Sequence, residues 1–166
     1  LWDAGDEIGV MIDGAGTPEQ YTLSGGVGTS VGKFVGIGKG DTYVAYYPYS
    51  GVKSLSGKSL KVNLPSEQSY SPDSFGSGAY PMIAVSQSEN MEFLNLGSVL
   101  KVSLTGNTEV GSIVFKANST LVKVSGEATV KTDFTSVPSM SMSSSASGEV
   151  VLQCGGVALD PVEAVD

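Results

Sequence analysis

The sequence predicts an all-β protein, an antiparallel β-sandwich with Greek-key connections. Three observations support this fold class: the chain has 22 glycines among 166 residues, its apolar runs are short, and no segment keeps helical periodicity over three turns. A chain of this length fits one domain with a single core. We expect the sandwich to occupy residues 1–155, and residues 156–166 to begin a linker or a truncated C-terminal region.

Five segments in the first 65 residues carry strand patterns. The clearest is KSLKVNLP, in which Leu60, Val62 and Leu64 alternate with polar residues before Pro65 removes a backbone donor and ends the strand. Clusters of Gly, Pro and Asp separate the segments, as is typical of turns. The predicted strands of this part are residues 7–12, 20–24, 32–37, 41–48 and 58–65.

The fourth of these strands, DTYVAYYP, combines β-branched and aromatic residues. On a strand, Tyr43, Ala45 and Tyr47 share one face, and Val44 and Tyr46 share the other. Because both faces are apolar or amphipathic, the pattern favours a central strand that is covered on each side over an open binding platform.

The next part of the chain, residues 66–81, is polar and long for a connection in a compact domain. We interpret it as a crossover or a functional loop. Beyond it, Met140 and Met142 alternate with serines, as an edge strand could. Period-2 alternation predicts the other strands at residues 82–86, 91–106, 111–118 and 149–156, and the segment 91–106 is long enough to bend or split at Gly97. A hairpin is predicted over residues 121–133, with Gly126 at its corner.

The charge of the chain argues against nucleic acid as a partner. The net charge is −8, and the nine basic residues are all lysines, so no guanidinium is present for bidentate contact with phosphate or guanine. No apolar stretch reaches the 18 residues that a membrane-spanning helix needs. The chain begins abruptly, with Trp2 running into an apolar strand, and we expect that it has been trimmed by processing or by design.

The sequence also lacks a recognisable catalytic pattern, since it has no histidine, no paired-carboxylate motif and only dispersed acidic residues. The chain has no histidine, so Cys154, which alternates with Val150 and Leu152, has no imidazole base and is interpreted as a small buried hydrophobe. Asp3, Asp6 and Glu7 could offer oxygens to a calcium ion, but a turn in which the carboxylates bind local amides explains them better. We therefore expect no enzyme, no cofactor and no metal site.

Three aromatic residues in the long polar segment form a candidate ligand-contact loop. Tyr70, Phe75 and Tyr80 could be exposed there and could stack on sugar rings or anchor a protein partner. They could equally fold back over the end of the sandwich and shield its core, and we favour shielding.

Several phrases of the sequence, taken together, resemble the N-terminal domain of fimbrillin-like surface proteins from anaerobic Gram-negative bacteria. The likeness spans most of residues 1–154, in matching order. The phrases are LWDAGDEIGVMI, TYVAYYPYSG, LKVNLPSEQSY, PMIAVSQSENMEFLNLGSVLKVSLTG, VGSIVFKAN and VSGEATV.

This resemblance implies a transthyretin-like sandwich and export as a lipoprotein to the cell surface, the outer membrane or a fimbrium. It implies partners that are other pilus subunits, or copies of the same chain, joined by strand exchange. The chain departs from the family in two ways: the lipid-bearing cysteine is absent, so any membrane attachment would use an anchor outside this chain, and Gly97 and Ser98 stand where many relatives have a cysteine.

Two hypotheses about function follow from the residues and the resemblance. In the first, the protein is a non-enzymatic fimbrial subunit or adhesin-like lipoprotein, and it accepts a strand at an open groove or unpaired edge lined by Ile8, Val10, Val150 and Leu152. In the alternative, it is a glycan-binding surface lipoprotein, with a closed sandwich that presents the three loop aromatics to a host glycan or protein. Hydrolysis would instead need two carboxylates facing each other across a cleft.

Overall fold

The computed structural model describes residues 1–76, 78–134 and 136–165 of the chain. In these residues the fold is all-β, apart from a single 3₁₀ turn at Tyr49–Gly51. The strands are β1 (Glu7–Ile12), β2 (Glu19–Gly25), β3 (Lys33–Val35), β4 (Tyr43–Tyr47), β5 (Val52–Ser56), β6 (Ser59–Leu64), β7 (Glu67–Ser71), β8 (Ser74–Phe75), β9 (Met82–Ser86), β10 (Leu94–Asn95), β11 (Glu109–Lys116), β12 (Gly126–Lys131), β13 (Ser139–Met142) and β14 (Glu149–Ala158).

The strands form three sheets. Sheet I has the order β10-β9-β4-β1-β2-β3, sheet II the order β13-β12-β6-β5, and sheet III the order β11-β14-β7-β8. The paired strands are antiparallel, with the exception of β14 and β7, which run parallel. The predicted all-β sandwich of packed antiparallel sheets is therefore confirmed, whereas its Greek-key and transthyretin-like connections remain predictions.

Sheets I and II enclose the main hydrophobic core. Sheet I contributes Met11, Val44, Tyr46 and Ile83 to this core, and sheet II contributes side chains of β5, β6 and β12. Each fully buried aliphatic or aromatic side chain stabilises the fold by about 1.5–3 kcal/mol. The approach is close enough at β1 that a Cβ on Gly9 would lie 2.7 Å from the Val52 Cγ1 atom, so this strand needs glycine there.

The strand β4 is central and covered on both faces, as its sequence predicts. Val44 and Tyr46 enter the core between sheets I and II, while Tyr43, Ala45 and Tyr47 enter a second cluster on the other face. Burial raises the pKa of the Tyr46 hydroxyl strongly. The tyrosines of this segment are therefore packing residues and not an exposed ligand platform.

The second cluster is organised around Trp2. Its ring makes edge-to-face contacts with Phe34, Tyr47 and Phe93, at centroid distances of 4.9, 5.5 and 5.5 Å. Phe34 belongs to one edge strand of sheet I and Phe93 precedes the opposite edge strand, so the indole joins the two edges. Such aromatic pairs add about 0.5–1.5 kcal/mol each beyond area burial.

Sheets II and III are joined by direct hydrogen bonds. Ser125, which is fully buried, donates its Oγ–H to the Glu149 carbonyl oxygen at 2.6 Å. The backbone N–H groups of Val124 and Ser125 both reach the Ser147 carbonyl oxygen. The start of β12 in sheet II therefore fixes the position of β14 in sheet III.

Three predictions about secondary structure are wrong. The polar segment 66–81 contains the two strands β7 and β8, joined at Asp73, whose φ of 55° suits a tight turn. Most of the segment 91–106 lies outside strands. Met91, Phe93 and Leu96 pack against the two buried clusters, and Val102 and Leu104 line one pocket with residues of sheet III. The hairpin over 121–133 is absent: Gly126 (φ 100°) begins β12, which pairs with β6 and β13. The strand β5 was not predicted.

Candidate functional site

The candidate site is the apolar face of sheet III. The strands β11 and β14 pair so that Ile113 lies opposite Leu152 and Phe115 lies opposite Val150. Because side chains alternate between the two faces of a strand, these four residues share one face. They are half-buried and not closed within a core.

A groove of about 940 Å³ runs over this face. Its size is at the upper end of the range typical of ligand pockets. One wall is the sheet itself, and the rest of the lining comes from residues outside its strands: Asp73, Gly76, Ala79, Tyr80, residues 98–102, Leu104, Ala117, Asn118, Val122, Val124, Leu159 and Val165. Besides the four residues above, the apolar side chains of the lining include Val102, Leu104, Val110, Val122, Val124, Cys154, Val157, Leu159 and Val165.

Aromatic rings line another part of the groove. Tyr70 and Phe75 are cross-strand partners in β7 and β8. The Phe75 ring lies 4.9 Å from the Tyr80 ring, centroid to centroid, with the planes tilted by 41°. Phe75 is 48% exposed, and the Tyr80 hydroxyl lies 3.5 Å from the Gly97 carbonyl oxygen. The three predicted ligand-contact residues thus line one groove, although two of them lie on strands and not in a loop.

The four residues predicted to line an assembly groove are separated into two places. Val150 and Leu152 lie on the floor of the groove with the three aromatics. Ile8 and Val10 are fully buried in the second cluster, because β1 lies inside sheet I between β4 and β2. Period-2 alternation identifies the buried face of each strand, but it does not say which sheet the strand joins.

Polar side chains also line part of the groove, among them Gln68, Asp73, Lys101, Lys116 and Asn118. Cys154 lies on the floor, about nine-tenths buried, with its Sγ 3.7 Å from the Leu152 carbonyl oxygen. At one end of the strand pair, the Lys116 Nζ and Glu149 Oε2 atoms are 2.9 Å apart. Among the described lining residues Asp73 is the one carboxylate, so the groove does not set two carboxylates face to face. The chemistry that this lining offers is the burial of apolar surface.

The acidic turn at the start of the chain binds its own neighbours. Asp6 is buried, and its two carboxylate oxygens accept hydrogen bonds from the Asp3 backbone N–H at 2.7 Å and the Tyr47 hydroxyl at 2.9 Å. This geometry matches the turn interpretation of these residues. In the described residues no group of three or more His, Cys, Asp or Glu side chains is placed to hold a metal ion.

The glycine-rich segment before β4 is bound by a carboxylate of the chain itself. One Asp13 oxygen accepts hydrogen bonds from the backbone N–H groups of Asp41 and Thr42, both at 2.9 Å. These two N–H groups, that of Thr42 first, hold the pKa of Asp13 below its ordinary value of 3.8. The loop amides are therefore occupied by Asp13.

Comparison of the chain with protein-family models, with curated proteins and with solved structures finds no match. Within the described residues no helix is long and apolar enough to cross a membrane.

Proposed function

We propose that this chain is a non-enzymatic subunit of a cell-surface fibre, a fimbrial subunit or adhesin-like lipoprotein, that binds an extended strand from a neighbouring subunit over sheet III. The observation that supports this proposal is the open apolar groove on that sheet. The resemblance to fimbrillin-like proteins is consistent with it. The lipid anchor and the location at the outer membrane or in a fimbrium are proposed on that resemblance alone.

The period of the apolar residues along the groove matches that of an extended strand. Along β11 and β14 the apolar side chains recur at every second residue, from Phe115 to Ile113 and from Val150 to Leu152. An incoming strand has the same period, so its alternate side chains could contact these residues in one register. Within the described residues β11 pairs with β14 on one side and with no strand on the other. Its outer edge could therefore pair with an incoming backbone.

Burial of apolar side chains would supply the favourable part of the free energy of strand binding. If four aliphatic side chains of the incoming strand were fully buried in the groove, their burial would contribute about 6–12 kcal/mol, at about 1.5–3 kcal/mol each. Ordering a flexible strand costs on the order of 2–5 kcal/mol or more, and loss of translational and rotational freedom costs further free energy. Since the lost translational and rotational freedom costs on the order of 4–15 kcal/mol, a net favourable contact needs apolar burial at the upper end of the range of about 6–12 kcal/mol.

Size-exclusion chromatography with light scattering on the full-length protein tests this proposal. The measurement is made before and after limited proteolysis of the N-terminal segment, at high protein concentration. Protease-dependent polymers that resist SDS are the expected result. A protein that stays strictly monomeric under both conditions would contradict assembly by strand addition.

A second candidate function is glycan binding, which the Phe75–Tyr80 ring pair favours. Phe75 is half-exposed, and aromatic faces of this kind can stack on sugar rings. A glycan array with the wild type and with Phe75→Ala would show a bound glycan that is lost in the variant. Phe134→Ala is the matched control, because Phe134 is similarly exposed, at 42%, and does not line the groove. An array with no bound glycan would dismiss this candidate.

A further inference from the structure

The segment between Gly97 and Gly106, with the sequence SVLKVSLT, lines the groove of sheet III without belonging to a sheet. We call residues 98–105 the strap. Its apolar residues alternate as they would on a strand, yet in the structure it is coil except for a single bridge residue, Leu104. Val102 and Leu104 are half-buried, whereas Val99 is 60% and Leu100 71% exposed.

The two ends of the strap are held differently. At its C-terminal end, Leu104 exchanges two backbone hydrogen bonds with Val165, at 3.0 and 2.9 Å, and the Gly106 N–H donates to the Asp160 carbonyl oxygen at 2.9 Å. At its N-terminal end, the Gly97 carbonyl oxygen accepts a long hydrogen bond, of 3.5 Å, from the Tyr80 hydroxyl, and a Cβ built on Gly97 would meet no atom within 4 Å. Among these contacts, the C-terminal end of the strap is held by more and shorter hydrogen bonds than the N-terminal end.

Burial along the strap is shallow compared with the core. Every strap residue is half-buried or exposed, whereas Leu60 and Val62 of sheet II are fully buried. A segment with few buried apolar groups opens locally at a much lower free energy than the global unfolding of the domain. The groove beneath is apolar, so exposing it to water without a replacement is unfavourable.

We propose that the strap is a displaceable cover: it shields the apolar face of sheet III in the free subunit and leaves that face when an extended strand enters. The identity of the incoming strand rests on the proposed function. The opening of the strap does not, because it is a property of the isolated chain.

Cys154, the single cysteine of the chain, provides the test because it lines the same groove as the strap. The labelling rate of its thiol by a maleimide is measured on the full chain, with hydrogen exchange of residues 98–104 followed in parallel. Removing the two inward anchors by Val102→Ser/Leu104→Ser is expected to raise the labelling rate roughly tenfold and to speed exchange in the strap, because opening becomes easier.

Val31→Ser/Ile37→Ser is the matched control. It removes two exposed apolar side chains, 77% and 85% exposed, in the segments that flank β3, and should leave the labelling rate of Cys154 unchanged. Emission from Trp2 reports whether sheet I is intact in each variant. The milder Val102→Ala/Leu104→Ala, with an expected increase of about threefold, is measured alongside in case the serine variant unfolds. An unchanged rate in folded variants of both kinds would overturn the proposal.

The same variants separate the cover from the assembly. If strap variants label faster but the processed full-length protein forms no polymers, the cover is supported and the proposed assembly fails. If polymers form while both strap variants label Cys154 at the wild-type rate, assembly is supported and the cover is overturned.

Discussion

The two halves of the molecule use the same strand pattern to different ends. In β6, Leu60 and Val62 alternate with polar residues and are fully buried between sheets I and II. In β14, Val150 and Leu152 also occupy alternate positions, here with the apolar Val151 between them, and both remain half-buried beside a groove. Period-2 spacing therefore specifies an apolar face, whereas the presence of a second sheet decides whether that face becomes closed core or stays partly exposed.

This difference places the closed packing in one half of the molecule and a partly exposed apolar face in the other. Sheets I and II hold the packed clusters around Tyr46 and Trp2, so most of the folding free energy should come from them. Sheet III keeps an apolar face available, at the cost of leaving its side chains partly hydrated. Substitutions in the two halves should therefore change the stability of the fold to different extents.

The largest effect is expected for Trp2→Ala. The substitution removes three edge-to-face contacts that join the two edges of sheet I, and large-to-small replacement of a buried aromatic costs about 3–5 kcal/mol. Urea unfolding followed by far-UV circular dichroism measures the loss. Trp2→Phe should recover more than half of it, and a loss under about 1 kcal/mol for Trp2→Ala would show that the indole does not join the edges.

The same truncation in the two halves gives the most direct contrast. Leu60→Ala should cost about 2–5 kcal/mol because it leaves a cavity in a closed core. Leu152→Ala should cost less than about 1.5 kcal/mol, because that side chain is only half-buried and lines the open groove. Both values come from urea unfolding under identical conditions. Equal costs would mean that sheet III is as closed as the core.

A smaller gain is expected for Thr132→Val. Thr132 is almost fully buried, and its hydroxyl has no hydrogen-bond partner among the described residues. Replacing an unsatisfied buried hydroxyl by a methyl group of the same shape should stabilise the fold by about 1 kcal/mol. Thr132→Ala removes the hydroxyl but also leaves a void, so it should be less stable than Thr132→Val in a thermal melt. The opposite order would argue that the hydroxyl is satisfied.

The smallest effect concerns acid stability at Asp13. Its folded-state pKa is lowered by the N–H groups of Thr42 and Asp41, so its contribution is present above the ordinary value of 3.8 and is lost as pH falls through the folded pKa. Asp13→Asn should therefore flatten the fall in melting temperature below about pH 4. Thr42→Val removes only the weaker side-chain donor at 3.2 Å and should flatten the fall in melting temperature less. Identical curves for wild type and Asp13→Asn would contradict this account.

Much of the packed half could be predicted from the sequence. The strands β1, β4 and β9 begin and end within two residues of their predicted bounds, because each is a mainly apolar segment flanked by turn-forming residues such as Pro and Asp. The edge strand at Met140 and Met142 was also predicted correctly. In the structure it pairs with β12. Alternation and turn chemistry are local signals, and this half follows them.

The open half could be predicted only in part. Val150 and Leu152 were expected to line a groove, but Ile8 and Val10 belong to another sheet, since strand order depends on contacts distant in sequence. The strap has the alternation of a strand because it lies on an apolar face without joining the ladder. Pro72 and Asp73 carried a turn signal that could have divided the segment 66–81 into β7 and β8.

One pair of variants tests most directly whether sheet III is where subunits join. Leu152→Asp places a charge on the groove face of β14, and Val151→Asp places the same charge on the opposite face of the same strand, at a position that is also half-buried. Light scattering of the processed full-length proteins should show polymers for wild type and Val151→Asp, and monomers for Leu152→Asp, provided that Trp2 emission is native in all three. Polymers of equal size in the Leu152→Asp variant would contradict the groove as the site of strand addition.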